Sequence, residues 1–161
     1  MITFIQLIFN LLYTFKSKFR VWIYSHFFPI GYGTVILDGF NVRNPNKIQI
    51  GKRCFVNINC FIQGAGGVSI GDDVLIAPNV SFYSENHIFE NSRKRINEQG
   101  FERKPIKIGN DVWIGANVVL LPGVILGDGC VIAAGAVITK SFPKNSVIGG
   151  VPGKLLKVRK N

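Results

Sequence analysis

Two histidines occur in the 161 residues, His26 and His87, and His87 stands where its chemistry could be used. It lies in Val80–Gly109, "VSFYSENHIFENSRKRINEQGFERKPIKIG", a polar and basic stretch between two runs of regular apolar periodicity. An imidazole titrates near pH 6.5 in its ordinary state, so at neutral pH it can take a proton from a hydroxyl that attacks an acyl carbon, or the residue could be a corner histidine that merely hydrogen-bonds its neighbours. Glu85 precedes it by two positions and could orient the ring, or could be a solvated loop carboxylate. Asn57, in "CFVNINC", could hold an acceptor hydroxyl or an oxyanion, or serve only as a corner residue that tolerates left-handed backbone. His26 has no comparable surroundings and is expected to be structural or exposed. A three-histidine zinc site is not expected, because His26 lies outside the periodic region.

The periodicity shows what must position these groups. Apolar residues recur every six positions through Ile30, Ile36 and Val42, then Ile50, Val56 and Ile62, then Ile70, Ile76 and Phe82. After the interruption the series resumes as Ile108, Ile114, Leu120, Leu126, Ile132 and Ile138. Glycine follows the first slot of each triplet at Gly31, Gly51, Gly71, Gly109 and Gly127, and is expected there for backbone conformations that a side chain forbids. A period of six is neither helical nor simple alternation; it fits a short strand plus a corner. Three such units make one triangular coil, and stacked coils bury a column of Ile and Val. The two steps of eight, Val42 to Ile50 and Ile62 to Ile70, are two-residue bulges at one corner. The fold class is therefore an all-β solenoid over residues 30–157, with a long excursion loop at 88–105 and a basic tail at 158–161. Long loops in compact domains usually carry function. Asn57 is expected at the corner between the first and second sides of its coil, and His87 at the corner after the third.

The residues resemble the hexapeptide-repeat acyltransferases, in the branch of galactoside, maltose and capsular-polysaccharide O-acetyltransferases. The resemblance rests on Asn86-His87, on "KPIKIGNDVWIGANVVLLPGVILGDGCVIAAGAVITK" from Lys104 to Lys140, and on "GGVPGKLLK" from Gly149 to Lys157. It implies a left-handed parallel β-helix, against the usual right-handed crossover rule. It also implies a homotrimer with active sites between subunits, His87 as general base and Asn57 as acceptor-holding residue. Acetyl-CoA is the implied acyl donor, lying along Trp113, Ala116, Ala134, Thr139, Lys140, Lys154 and Lys157. Trp113 could equally pack between subunits. Lys154 and Lys157 stand where family members often carry arginine, and lysine keeps the charge without the bidentate fork. The implied function is acetylation of a sugar hydroxyl in polysaccharide or glycoconjugate synthesis. The alternatives are N-acetylation of an amino sugar, acetylation of a small xenobiotic, or a non-catalytic solenoid scaffold.

The net charge of +10 calls for an acidic partner such as a phosphorylated cofactor or anionic lipid. No nucleic-acid-binding pattern accompanies it, so nucleic acid is not expected. Cys54, Cys60 and Cys130 all fall in the small slot four residues after a periodic apolar position, which is a packing role. Their odd number and the lack of a cleavable signal pattern point to the cytoplasm. Residues 1–29 stand outside the repeat as an apolar and basic helical segment. Thr3, Gln6, Asn10, Thr14 and Lys18 form a narrow polar stripe on it. It could cap the solenoid or pack between subunits, or residues 1–20 could touch an anionic membrane at its inner face.

Overall fold

The structure is a computed structural model that describes the backbone of residues 4–160 and the side chains of residues 15–160. Short parallel strands stack into three faces and wind through about six coils. The first face holds Val35–Ile36, Phe55–Val56, Leu75–Ile76, Trp113–Ile114, Val131–Ile132 and Ser146–Gly149 in stacking order. The second holds Asn41–Arg43, Phe61–Gln63, Ser81–Tyr83, Val119–Leu120 and Val137–Ile138. The third holds Ile48–Ile50, Val68–Ile70, Ile106–Ile108 and Ile125–Leu126. The register is strict: Ile36 pairs with Val56, Val56 with Ile76, Ile76 with Ile114, and Ile114 with Ile132.

The periodic residues fill the interior of this prism. All of them except Ile30 and Val42, which are half-buried, are buried. Cys54, Cys60 and Cys130 are buried in the corner slots as free thiols, each donating to a backbone carbonyl. Burial pushes all three thiols up from the usual cysteine range.

The glycine that follows each third-face strand has a different reason from the one expected. Gly51 and Gly71 do not take positive φ. Instead a Cβ on Gly71 would stand 2.6 Å from the Gly109 carbonyl oxygen, and one on Gly51 would stand 2.4 Å from the Gly71 carbonyl oxygen. These corners are glycine because successive coils touch backbone to backbone. The left-handed conformation falls two positions later, on Arg53, Asp73 and Asp111.

Both open ends of the solenoid are covered. Helix α1, Phe4–Ser25, lies against the first coil and supplies side chains to its unpaired edge. Ser17 Oγ accepts from the Ile36 N–H, Arg20 donates to the Ile36 carbonyl at 2.9 Å and pairs with Asp38, and the Tyr24 hydroxyl donates to the Phe40 carbonyl. At the other end the chain turns through the cis Val151–Pro152 bond, and Lys154–Val158 pairs antiparallel with Ser146–Gly149. The basic tail expected from 158 is thus largely ordered: Val158 ends this strand, and Arg159 reaches the Gly129 carbonyl and Asp111. Of the expected polar stripe, Thr3 and the side chains of Gln6, Asn10 and Thr14 lie outside the described residues; Lys18 is exposed.

Candidate active site

All three departures from the six-residue beat sit at one corner, between the second and third faces. The first is a 3-10 turn at Pro45–Lys47, and the second is the turn through Gly64–Gly67. The third is the excursion. It is a two-stranded antiparallel ribbon of Glu85–His87 and Phe101–Arg103, with His87 opposite Phe101 and Glu85 opposite Arg103. A turn closed by Asn91 and Gln99 forms its tip, which exposes Arg93, Lys94 and Arg95. The chain therefore leaves the coil at Ser84 and returns at Lys104, so His87 lies three residues out along the ribbon. The departing corner is the one before the third face, one corner earlier than the hexad count places it.

The neck of the ribbon is bolted to the coils below it. Ser84 is fully buried; its hydroxyl donates to the Gln63 carbonyl at 2.6 Å and accepts from the Gly66 N–H at 2.9 Å. The Lys104 N–H donates to the Ser84 carbonyl, closing the neck from the other side. Glu85 receives the Gln63 side-chain amide on one oxygen and the Arg103 guanidinium, at 2.8 Å, on the other. Each carboxylate oxygen thus holds a neck contact, and no hydrogen bond joins Glu85 to the imidazole among the described residues. The imidazole instead meets Phe101, whose ring lies 4.4 Å from its centroid at a tilt of 39°. His87 is exposed, and its imidazole makes no hydrogen bond among the described residues. A ring packed on one side and free at its nitrogens can meet a substrate hydroxyl.

Gln63, Ser84, Phe101 and Arg103 were missed at the level of sequence. Only the ribbon register brings Phe101 and Arg103 across from His87 and Glu85. Gln63 alone carried a weak signal, as a polar residue beside the inward Ile62.

The remaining candidates divide between edges of the prism. Asn57 is half-buried at the corner between the first and second faces, and its side-chain oxygen accepts from the Ile58 N–H at 2.8 Å. Ala116 and Ala134 belong to that same corner one and two coils further on past Ala77, where the Gly135 N–H donates to the Ala116 carbonyl. Trp113 projects from the first face and is 54% exposed. Lys154 and Lys157 lie exposed on the strand that closes that face. Thr139 and Lys140 instead follow Val137–Ile138 at the corner from which the ribbon leaves, and the Lys140 ammonium sits 5.8 Å from the centre of the Phe142 ring. One chain thus carries His87, Thr139 and Lys140 along one edge, and Asn57, Ala116 and Ala134 along another. Among the described residues, no three His, Cys, Asp or Glu side chains converge.

The family description "Bacterial transferase hexapeptide (six repeats)" matches residues 105–140, and "Hexapeptide repeat of succinyl-transferase" matches residues 47–83. The galactoside O-acetyltransferase of Escherichia coli is 43% identical over 113 residues, covering 70% of this chain and 54% of that enzyme. The chain spans about half the length of the curated relatives it matches. Among solved structures, a hexapeptide-repeat acetyltransferase of Vibrio cholerae complexed with acetyl-CoA superposes with a TM-score of 0.81 at 31% identity, covering 89% of this chain and 78% of that one. A galactoside acetyltransferase in complex with coenzyme A superposes with a TM-score of 0.81 at 35% identity, covering 88% of this chain and 70% of that one. With the solenoid, the repeat matches and these likenesses together, the chain belongs to the hexapeptide-repeat acyltransferase family, whose coil is the left-handed parallel β-helix.

Proposed function

We propose that the protein transfers an acetyl group from acetyl-CoA to a sugar hydroxyl. The observation that carries this is the His87 ribbon: the regular coil breaks once at length, and the break presents an imidazole without a hydrogen-bond partner among the described residues, from a neck tied by Gln63, Gly66, Arg103 and Lys104. Membership of a family with CoA-bound relatives supports the donor. The galactoside O-acetyltransferase supports a sugar acceptor.

In the reaction His87 accepts the proton of the acceptor hydroxyl as the oxygen attacks the thioester carbonyl. The tetrahedral adduct then expels the CoA sulfur, which takes the proton back from the imidazolium. The Asn57 amide steadies the acceptor or the developing oxyanion. Trp113, Ala116, Ala134, Thr139 and Lys140 line the CoA arm, and Lys154 and Lys157 meet its phosphates. Because these residues occupy different edges of one prism, the complete site forms between neighbouring subunits of a homotrimer. Three free, buried cysteines suit the cytoplasm, where thiols stay reduced.

The test is acetyl-CoA turnover against a panel of sugars and amino sugars, with the product bond identified by mass spectrometry. Acetate on oxygen is expected, and His87→Ala should lower kcat by about 100-fold or more with little change in CoA binding. Acetate on nitrogen, or a His87→Ala variant with near-full kcat, overturns the proposal.

A further inference from the structure

Helix α1 carries a second apolar face that nothing in the solenoid covers. Ser17, Val21, Tyr24 and Phe28 turn toward the first coil; Ser17 and Phe28 are buried, and Val21 and Tyr24 pack against the core. At helical spacing, positions 15, 19 and 22 fall on the opposite side, and position 26 follows just past the end of the helix. They are Phe15, Phe19, Trp22 and His26, and the first three are 69%, 52% and 60% exposed. Their rings run as a ladder, with Phe19 and Trp22 stacked at 5.8 Å and Trp22 meeting His26 edge-on at 4.9 Å. Lys16 and Lys18 are exposed and lie about a quarter-turn to either side of the ladder.

A helix that only caps a coil needs one apolar face, so the outward ladder calls for a partner. The charge pattern says which kind. Helix α1 contains no Asp or Glu, so a second copy of it would set lysines against lysines. An anionic bilayer instead takes the rings at the boundary of headgroups and acyl chains and the ammonium groups among its phosphates. No helix among the described residues is long and apolar enough to cross a membrane, which leaves a helix that lies on the surface. In a threefold ring all three copies of α1 stand at the same height along the axis, so three faces can engage one bilayer together.

We propose that the Phe15–Phe19–Trp22 face of α1, flanked by Lys16 and Lys18, docks the protein on an anionic membrane and brings the His87 ribbon to a membrane-held glycan acceptor. The docking stands by itself; the acceptor class rests on the acetyltransferase reading.

The experiment floats the full-length protein with vesicles of equimolar phosphatidylglycerol and phosphatidylcholine, and with phosphatidylcholine alone. The protein should rise with the anionic vesicles at low salt, and Phe19→Ser/Trp22→Ser should weaken that partition by about 10-fold or more. Lys16→Gln/Lys18→Gln should abolish the preference for the anionic vesicles. In a Trp113→Phe background, where Trp22 is the remaining tryptophan, its emission should shift to the blue on anionic vesicles; this keeps the test decisive should the serine variant fail to fold. The absence of both flotation and blue shift at low salt overturns the docking. So does a serine variant that floats unchanged but sediments as a smaller oligomer, which would make the ladder a subunit contact. His87→Ala should float like the unsubstituted protein, so a failure of acetyl transfer and a failure of docking are read separately.

Discussion

Mixing two inactive variants should restore activity, to a level that the geometry of the prism sets. Asn57 stands at the corner between the first and second faces, and the ribbon bearing His87 leaves the corner between the second and third. A face of about five extended residues is about 16 Å wide, too far for both side chains of one chain to hold a single hydroxyl. If neighbouring prisms bring these corners together in a threefold ring, each site takes its histidine from one subunit and its asparagine from the next. Subunits carrying only Asn57→Ala and subunits carrying only His87→Ala are mixed in equal amounts, unfolded and refolded so that trimers scramble. An interface is intact when the chain giving asparagine is the histidine variant and the chain giving histidine is the asparagine variant. Random assembly makes that about one interface in four, so turnover should return to about a quarter of the unsubstituted rate. The assay is release of free CoA thiol in the presence of the preferred acceptor, with each variant alone as the baseline. A mixture no more active than its parents, after mass spectrometry has shown that hybrids formed, refutes the shared site.

Lys154→Ala and Lys157→Ala should raise KM for acetyl-CoA and blunt its dependence on salt while leaving KM for the acceptor unchanged; initial rates across a salt series check this. Burial raises the thiols of Cys54, Cys60 and Cys130, so at neutral and mildly alkaline pH each is held further toward the protonated form than a free thiol. Alkylation of the native protein at pH 8 should therefore proceed only as fast as the coil opens, and denaturant should release all three together; rapid labelling of any one in native buffer contradicts the packing. Gly71→Ala should destabilise the fold by about 1–3 kcal/mol, because the new Cβ meets the Gly109 backbone, which cannot swing away, as well as the Asn110 side chain. Denaturant midpoints measure this, and an unchanged midpoint would show that the coils are not in contact at that corner.

The solenoid was legible because its sequence constraint repeats. Each coil asks for an inward Ile, Leu or Val at the same places, so one weak preference is stated many times over, and the burial of the series from Ile50 to Ile138 follows it residue by residue. The glycine column was legible as a pattern but not as a cause. From the sequence, Gly71 could answer either a positive φ or a close approach, and only the stacking of coils decides between them.

The ribbon obeys no repeat, which is why its residues were harder to read. The corner between the second and third faces widens at Pro45–Lys47, again at Gly64–Gly67, and then opens at Ser84. The two earlier bulges look like tolerated insertions in the sequence. In the structure the second of them is a seat: the Gly66 N–H donates to the turned-in Ser84 hydroxyl, and a Cβ there would stand 2.2 Å from the Ser84 carbonyl oxygen. Gln63 and Arg103 then grip Glu85 from the coil and from the returning strand. Proximity in sequence paired Glu85 with His87, but alternation along the short strand of Glu85–His87 does not decide which partner a carboxylate meets. The partner is fixed by what lies across the ribbon and beneath it, and those residues are 18 and 22 positions away. This coil carries its exposed imidazole by leaving the repeat, and the groups that make the departure rigid come from the coil beneath and the returning strand, where no local pattern marks them.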